Sequence, residues 1–432
     1  MAAVTALVAV VGNIGADARW LVAMGRIVVE DGSVPDGVPY AAAASSGWHN
    51  VPVLAELAFY GLHAAFGDHG LLLAQLVAVI AAFTLLAVGI VRAGISHAAA
   101  AVSLLLVAVA SLAPIAVIRV QLFSLVLFPL LLLLLRNQTR TPNRQIWLVV
   151  PLLALWSNLH GAVLVGIAVT GAYLLLERAR RQPLQSAALL VASGLALLAT
   201  PALWGTASYY GGVLQNEAAA RGVGLWAPLS LTSPFDLAFL AAGLPLVVLA
   251  LRNRPRLWEL AALAGLLLLT AQSARGGVWL AFMLALPAAQ GLRRIRDRPL
   301  RFSAPLLATA AAVAIAAFVR GPLPIGLTNE LIDRTLRDAA GTPILAEPIA
   351  AEQLAAAGGK VWLANPLDAF SAGDQRLYLD WLDGEPAGDA LLTQVSYIVV
   401  PDESRAGRRI RARVDLRPAS SIQGVTLYVR VR

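Results

Sequence analysis

The sequence predicts an α-helical polytopic membrane protein: about eleven transmembrane helices, then a small extracytoplasmic C-terminal α/β domain. Three observations predict it. Hydrophobic residues fill 59% of the 432 positions and charged residues only 13%, with a mean hydropathy of +0.73. One soluble core of this size cannot bury so much apolar side chain, so lipid must be the solvent for much of the chain. The apolar residues are also gathered into long runs, and arginines cluster in every second loop between those runs. Such alternation is the mark of cytoplasmic loops.

In chain order, Met1 to Val11 is apolar and reads as a first helix with its N-terminus in the cytoplasm. A polar stretch follows to Asn50, then an amphipathic one from Val51 to Phe66, so that 12–69 forms a large first outer loop. Apolar runs then occupy 70–91, 98–118, 120–135, 146–158, 161–176, 184–203, 235–251, 257–273, 277–291 and 303–319. The basic loops carry Arg92; Arg136, Arg140 and Arg144; Arg178, Arg180 and Arg181; Arg252, Arg254 and Arg256; and Arg293, Arg294, Arg296, Arg298 and Arg301. The alternation leaves 12–69, 204–234 and everything after Arg320 on the outer face of a cytoplasmic membrane. The chain therefore divides into a transmembrane domain, 1–320, and an extracytoplasmic domain, 321–432. In the latter, apolar runs shrink to strand length at Lys360–Asn365, Ser396–Val400 and Val425–Val431, with helix-like stretches at Asp374–Leu382 and Asp402–Arg413.

The net charge of +8 resides largely in those clusters, so it marks topology and not nucleic acid. With no cysteine, disulfides, thiolate metal sites and cysteine nucleophiles are excluded. Lys360 is the single lysine; arginine instead, with much alanine and glycine, suggests a GC-rich bacterial coding sequence.

Three helical hairpins are short. The segment 145–177 has basic loops at both ends, so it goes out and returns. Each arm has about 16 residues, or about 24 Å, against a hydrocarbon core of about 30 Å. Its turn, Ser157-Asn158-Leu159-His160-Gly161, should stop below the outer surface, where polar backbone is tolerated only within protein or against water. The same arithmetic covers 257–292, with Arg275 in its turn, and more loosely 97–136, with Arg119 and Gln121 in its turn. Ionisable groups at that depth are costly and mark function. Arg119, Gln121, Asn158, His160 and Arg275 thus outline a cationic, outward-facing cavity suited to a phosphate. Snorkelling of each arginine to the headgroups is the competing reading.

The first loop carries Asp17 just beyond the first apolar run, then Trp48-His49-Asn50 and Glu56. Loops of this length inside a folded chain are generally functional. A carboxylate at the outer end of a first helix can serve as a general base.

The pattern resembles the GT-C superfamily of integral membrane glycosyltransferases, and more narrowly a group of poorly characterised bacterial GT-C-like membrane proteins. The resemblance rests on Asp17-Ala18-Arg19-Trp20 with Gly25 and Gly32-Ser33-Val34-Pro35, on Trp48 to Glu56, on Arg119-Val120-Gln121-Leu122-Phe123, on Trp156-Ser157-Asn158-Leu159-His160-Gly161, on Pro201, on Lys360-Val361-Trp362-Leu363 with Asp368, and on Val395 to Val400. It covers nearly the whole chain. It implies an acidic residue in the first outer loop, here Asp17, and a polyprenyl-phosphate sugar as donor. The implied reaction is transfer, with inversion, to a glycan, lipid or protein acceptor on the outer face. Arg119 and Arg275 would hold the lipid phosphate, His160 with Asn158 would orient it or the sugar, and Gln121, Trp48, His49 and Glu56 would contact substrate. Many GT-C enzymes carry two nearby acids in this loop, and some bind a metal there. Asp17 has no acidic neighbour in sequence, so no obligatory metal and no cofactor are expected. Asp368, Asp374 and Asp380 read as solvated acids of the tail. Beside the transferase stand a polysaccharide ligase or polymerase of the same fold, a non-catalytic GT-C-like envelope protein, and a transporter. No internal repeat supports the last.

Overall fold

The computed structural model describes residues 2–295 and 303–431; Arg296, Arg298 and Arg301 of the last basic loop lie outside them. The chain is mostly helical and divides into two units. The first comprises Met1–Asn13, Phe66–Thr200 and Gly222–Leu323. The second comprises Ile14–Ala65, Pro201–Arg221 and Pro324–Arg432.

Within the first unit the hairpins form as the run lengths suggest. Val149–Ser157 turns back into Val163–Tyr173, and Leu257–Gln272 turns back into Gly277–Gly291. His97–Ala110 and the short Leu112–Ala116 lead through a turn into Leu122–Arg140. Fewer helices reach full spanning length than the about eleven expected spans. Among the described residues three helices are long and apolar enough to cross a membrane by length and composition: Val53–Arg92, Leu122–Arg140 and Pro234–Arg252. The other apolar helices have 10–17 residues, short of the roughly 20 that a crossing takes. The cause is the same shortness of the arms noted above; Val53–Arg92 is itself interrupted at Gly67, whose backbone is non-helical (φ 57°, ψ −147°).

The Gly277–Gly291 helix is buried from Gly277 to Ala289. Its ends are glycines because neighbours leave no room for more. A Cβ on Gly277 would meet the Phe239 ring at 2.7 Å, and one on Gly291 would overlap the Leu249 carbonyl. At the basic end, Arg136 donates from Nε to Glu259 Oε1 (3.1 Å) and from an η nitrogen to the Met283 carbonyl (2.9 Å), joining three helices. Arg320 donates to the carbonyls of Ala9 and Val10, the open C-terminal end of Ala2–Val11. A cation there satisfies orphan carbonyls and opposes the helix dipole.

The second unit contains a four-stranded sheet in the order Ile344–Ala346, Tyr397–Pro401, Val425–Arg430, Leu416–Ile422. The first pair is parallel and the others antiparallel. Strands expected at 396–400 and 425–431 are present within a residue of those bounds. Lys360–Asn365 is not a strand: Val361 forms only isolated bridges, to Ile344 on one side and Ala41 on the other. The first-loop residues there occupy the edge that a regular strand would pair. The Leu416–Ile422 strand escaped the sequence reading because Pro418 and two serines blur its alternation. Proline is tolerated because this is an edge strand, with a bulge between Pro418 and Ser420. The helix expected at 374–382 is Ala372–Asp383, capped by Ser371; that expected over 402–413 is the shorter Arg405–Arg411, capped by Ser404.

Two helices of this unit cap each other. Arg19–Asp31 packs on Pro348–Ala356. Arg26 donates to the carbonyls of Ala355 and Ala356, at the C-terminal end of the second helix. Glu352 of the second helix accepts from backbone N–H groups at the N-terminal end of the first. The Pro201–Arg221 segment joins through Arg221–Asp380 (2.8 Å) and Arg376–Glu217 (2.7 Å).

Candidate functional site

The residues singled out in the sequence fall into two groups. Asp17, Trp48, His49 and Glu56 belong to the second unit, and Arg119, Gln121, Asn158, His160 and Arg275 to the first.

In the first unit, three hairpin turns bring His160 within electrostatic reach of both Arg275 and Arg119. The hydrogen bonds around His160 fix its tautomer. Trp156 Nε1–H can only donate, and it donates to Ser124 Oγ at 2.6 Å. Ser124 Oγ lies 2.7 Å from His160 Nδ1, and the Ala162 N–H, also donor only, approaches the same nitrogen at 3.4 Å. Nδ1 is therefore the acceptor, Ser124 donates to it, and the ring proton sits on Nε2. Arg275 stacks on Trp226, 3.5 Å from guanidinium carbon to ring centroid. Asn158 is spent elsewhere: its amide donates to the carbonyls of Ala154 and Ala199, tying the turn to the next helix. Gln121 is buried at the start of Leu122–Arg140. Two arginines and an imidazole N–H make a donor set for an anion.

In the second unit, Asp17 occupies the left-handed backbone region at φ 75°. Aspartate is among the few residues other than glycine that visit this region, and its surroundings hold it there. Ala18, the residue preceding Arg19–Asp31, has no side chain to cap the helix. Glu352 takes that role, accepting from the N–H groups of Asp17 (3.0 Å), Arg19 (3.2 Å) and Trp20 (3.4 Å). Asn365 Nδ2 donates to the same carboxylate at 2.7 Å, and Tyr40 OH donates to the Asn365 carbonyl. Glu352 is 1% exposed. Burial raises its pKa above the ordinary carboxylate range, the Asp17 charge adds to that, and the hydrogen bonds from Asp17, Asn365 and Trp20 oppose it.

Further acids gather nearby. Glu56 is fully buried; its Oε2 accepts from Asn50 Nδ2 (2.9 Å), and its Oε1 has no hydrogen-bond partner among the described residues. Asp368 accepts from Trp48 Nε1 at 2.9 Å. Burial pushes the Asp368 pKa up to about 6, against the pull of the Trp48 hydrogen bond, with the Asp17 charge a smaller upward contribution. The Tyr209 phenol lies within electrostatic reach of Asp368, Glu56 and Asp17. Burial raises its pKa well above the ordinary value, and the charges of Asp368, Glu56 and Asp17 all raise it further. The expectation that Asp17 lacks an acidic neighbour is therefore corrected: its neighbours come from positions 352 and 368. For Asp368 and Asp380 the expectation of solvated tail acids is corrected too, since Asp368 is half-buried against Trp48 and Asp380 pairs with Arg221, whereas Asp374 bonds with Ser371 at an exposed helix start.

Sequence reasoning missed Glu352, Asn365, Tyr209 and the role of Asp368. One signal was available for Glu352: it is the lone acid in Pro348–Ala356, amid alanine, leucine and isoleucine. Nothing local marks Tyr209. A carboxylate among protonatable neighbours suits proton transfer, because the neighbours hold protons instead of adding buried charge. Among the described residues no group of three or more His, Cys, Asp or Glu side chains is arranged to hold a metal ion. No protein-family model matches this chain, and no curated protein matches it significantly.

Proposed function

We propose that this chain is a GT-C-type glycosyltransferase of a bacterial cytoplasmic membrane, transferring a sugar from a polyprenyl-phosphate donor to an extracytoplasmic acceptor. The observation that carries this reading is Asp17: a carboxylate in the left-handed backbone region, held there by Glu352 from 335 positions away. A sparsely populated backbone conformation held in place by distant parts of a chain is characteristic of functional residues. In the reaction, Asp17 accepts the proton of the acceptor hydroxyl as its oxygen attacks the anomeric carbon. The bond from that carbon to the phosphate oxygen breaks with inversion, and its electron pair leaves on the polyprenyl phosphate. Within the first unit, Arg119, Arg275 and the imidazole of His160 are suited to holding a phosphate.

The division of the chain supports the multi-pass topology of about eleven crossings, in which short arms share the span with polar turns buried in protein. The segments that the arginine alternation assigns to the outer face are 12–69, 204–234 and the chain after Arg320. The second unit is built from 14–65, 201–221 and 324–432, nearly the same segments. A ligase or polymerase would use the same cations without needing the Asp17 carboxylate.

The test is lipid analysis of cells that lack the native chain and carry either the wild type or Asp17→Asn. Mass spectrometry of extracts from the Asp17→Asn cells should show a polyprenyl-phosphate-linked sugar accumulating above the wild-type level. Equal levels in the two, with both proteins present in the membrane, would overturn the reading.

A further inference from the structure

An open cleft of about 400 Å³ lies wholly within the second unit. It is in the size range of small-molecule sites. Trp48, Tyr209 and Phe370 give it aromatic walls, Asp368 gives a carboxylate, and Ser208 and Ser371 give hydroxyls. The Trp48 and Tyr209 rings stand 6.1 Å apart at 57°, forming a corner instead of a flat stack. Trp48 is pinned by its bond to Asp368 Oδ2. On the Thr206–Gln215 helix, Ser208 and Gly212 are four residues apart and share a face, with Tyr209 beside them. A Cβ on Gly212 would be in ordinary contact with Asp368, so the helix and the 367–371 turn lie side by side. Among the described residues the lining carries no arginine or lysine.

These features select among ligands. Phosphate is disfavoured by the carboxylate and by the lack of a basic side chain other than His49. A purely apolar ligand would leave the carboxylate and the serine hydroxyls desolvated without partners. A pyranose matches: its C–H face lies on an aromatic ring, and its hydroxyls donate to a carboxylate and exchange hydrogen bonds with serines. A quaternary ammonium ion is the competing occupant, since aromatic rings with a carboxylate also bind cations. The serines around the rings favour the polyol.

Resting on the transferase reading, we infer that the Trp48–Tyr209–Asp368 cleft binds neutral sugar residues of a glycan acceptor. The acceptor is then a saccharide chain, and the cleft holds it through units other than the reacting one. Trp48 and Asp368 are binding residues here and take no part in bond making.

The experiment is saturation-transfer NMR on the full-length protein in lipid nanodiscs. The probes are maltopentaose, cellopentaose and mannopentaose, with choline as the counter-probe. At least one oligosaccharide should bind, and choline should not displace it. Trp48→Ala and Asp368→Asn should each weaken binding roughly tenfold. Trp48→Phe, which keeps a ring but loses the N–H, should fall between wild type and Trp48→Ala; it serves if the alanine variant fails to fold. Binding of none of the sugars, binding unchanged in these variants, or displacement by choline would overturn the inference. Its failure is separable from failure of the reaction. Donor accumulation in Asp17→Asn cells without glycan binding would sink the cleft alone. Glycan binding without donor accumulation would sink the transferase and leave the cleft standing.

Discussion

Around the 157–161 turn of the first unit, side-chain hydrogen bonds join segments close together in the chain. The Ser124–His160 bond spans 36 residues, and the Asn158 amide reaches Ala199, 41 residues on. In the second unit Asp17 meets Glu352 across 335 residues, and Trp48 meets Asp368 across 320. The chemistry differs as well: the first group is cationic and imidazole-bearing, the second carboxylic and phenolic. Hairpins of apolar helices place consecutive turns together, so a turn motif finds its partner one hairpin away. The second unit is assembled from three segments separated by long helical stretches of the first. Loop-closure entropy grows only slowly with length, so such distant pairings are no obstacle once the helices hold the ends. Local construction yields recognisable motifs, whereas distant construction hides its partners.

The sharpest way to break the comparison is to remove the distant partner. Glu352→Ala leaves the buried N–H groups of Asp17, Arg19 and Trp20 without their acceptor, and Asn365 as well. Orphaned buried donors and a lost helix cap together should cost about 2–4 kcal/mol. Thermal unfolding of the purified protein should show a markedly lower Tm for Glu352→Ala, while Asp17→Asn, which keeps its own N–H bond, should change Tm little. If the two variants unfolded alike, Glu352 would not be what positions Asp17.

That contrast explains what was legible in the sequence. Arginine spacing and run length disclosed the hairpins, because both are local, and Arg119 and Arg275 lie within electrostatic reach of His160. Asp17 stood out by its place after the first apolar run. Its partners did not: nothing near Glu352 or Tyr209 in the chain points to a residue hundreds of positions earlier. Lys360–Asn365 has strand-like composition but is flanked by the Tyr40–Ala43 loop backbone, which takes its hydrogen bonds. Hydropathy measures apolar length and not where a helix stops, so run length alone does not give the length of each helix.

A smaller effect is expected from the local cluster. Ser124→Ala removes the acceptor of the buried Trp156 N–H and the donor to His160 Nδ1. The orphaned indole should cost about 1–3 kcal/mol. The imidazole, freed from its donor, loses the preference for a proton on Nε2, so anion recognition should weaken as well. Ser124→Thr keeps the hydroxyl and should restore both. The measurement is the Tm gained on adding polyprenyl phosphate: large in wild type and Ser124→Thr, reduced in Ser124→Ala. An equal gain in all three would mean that this network is packing only.

The smallest effect concerns the protons of the acid group. The Asp368 pKa is raised from 3.8 to about 6 in the folded protein. In the unfolded chain it returns to the ordinary value, so between those two pH values the folded state binds more protons than the unfolded one. Stability therefore falls as pH rises through this window. The contribution of Asp368 is fully present below pH 3.8 and is lost by the time pH passes about 6. Glu352, also raised, adds a slope of the same sign. Asp368→Asn removes one titrating group, so its curve of Tm against pH should be flatter than wild type between about pH 4 and 6, and parallel to it above. Because Trp48 can donate to the asparagine oxygen as it does to the carboxylate, the packing should survive and the difference between curves isolates the proton. A wild-type Tm that rises from pH 4 to 6 relative to Asp368→Asn would reverse the sign, placing Asp368 in a solvated or cation-paired setting and removing the carboxylate from the glycan cleft.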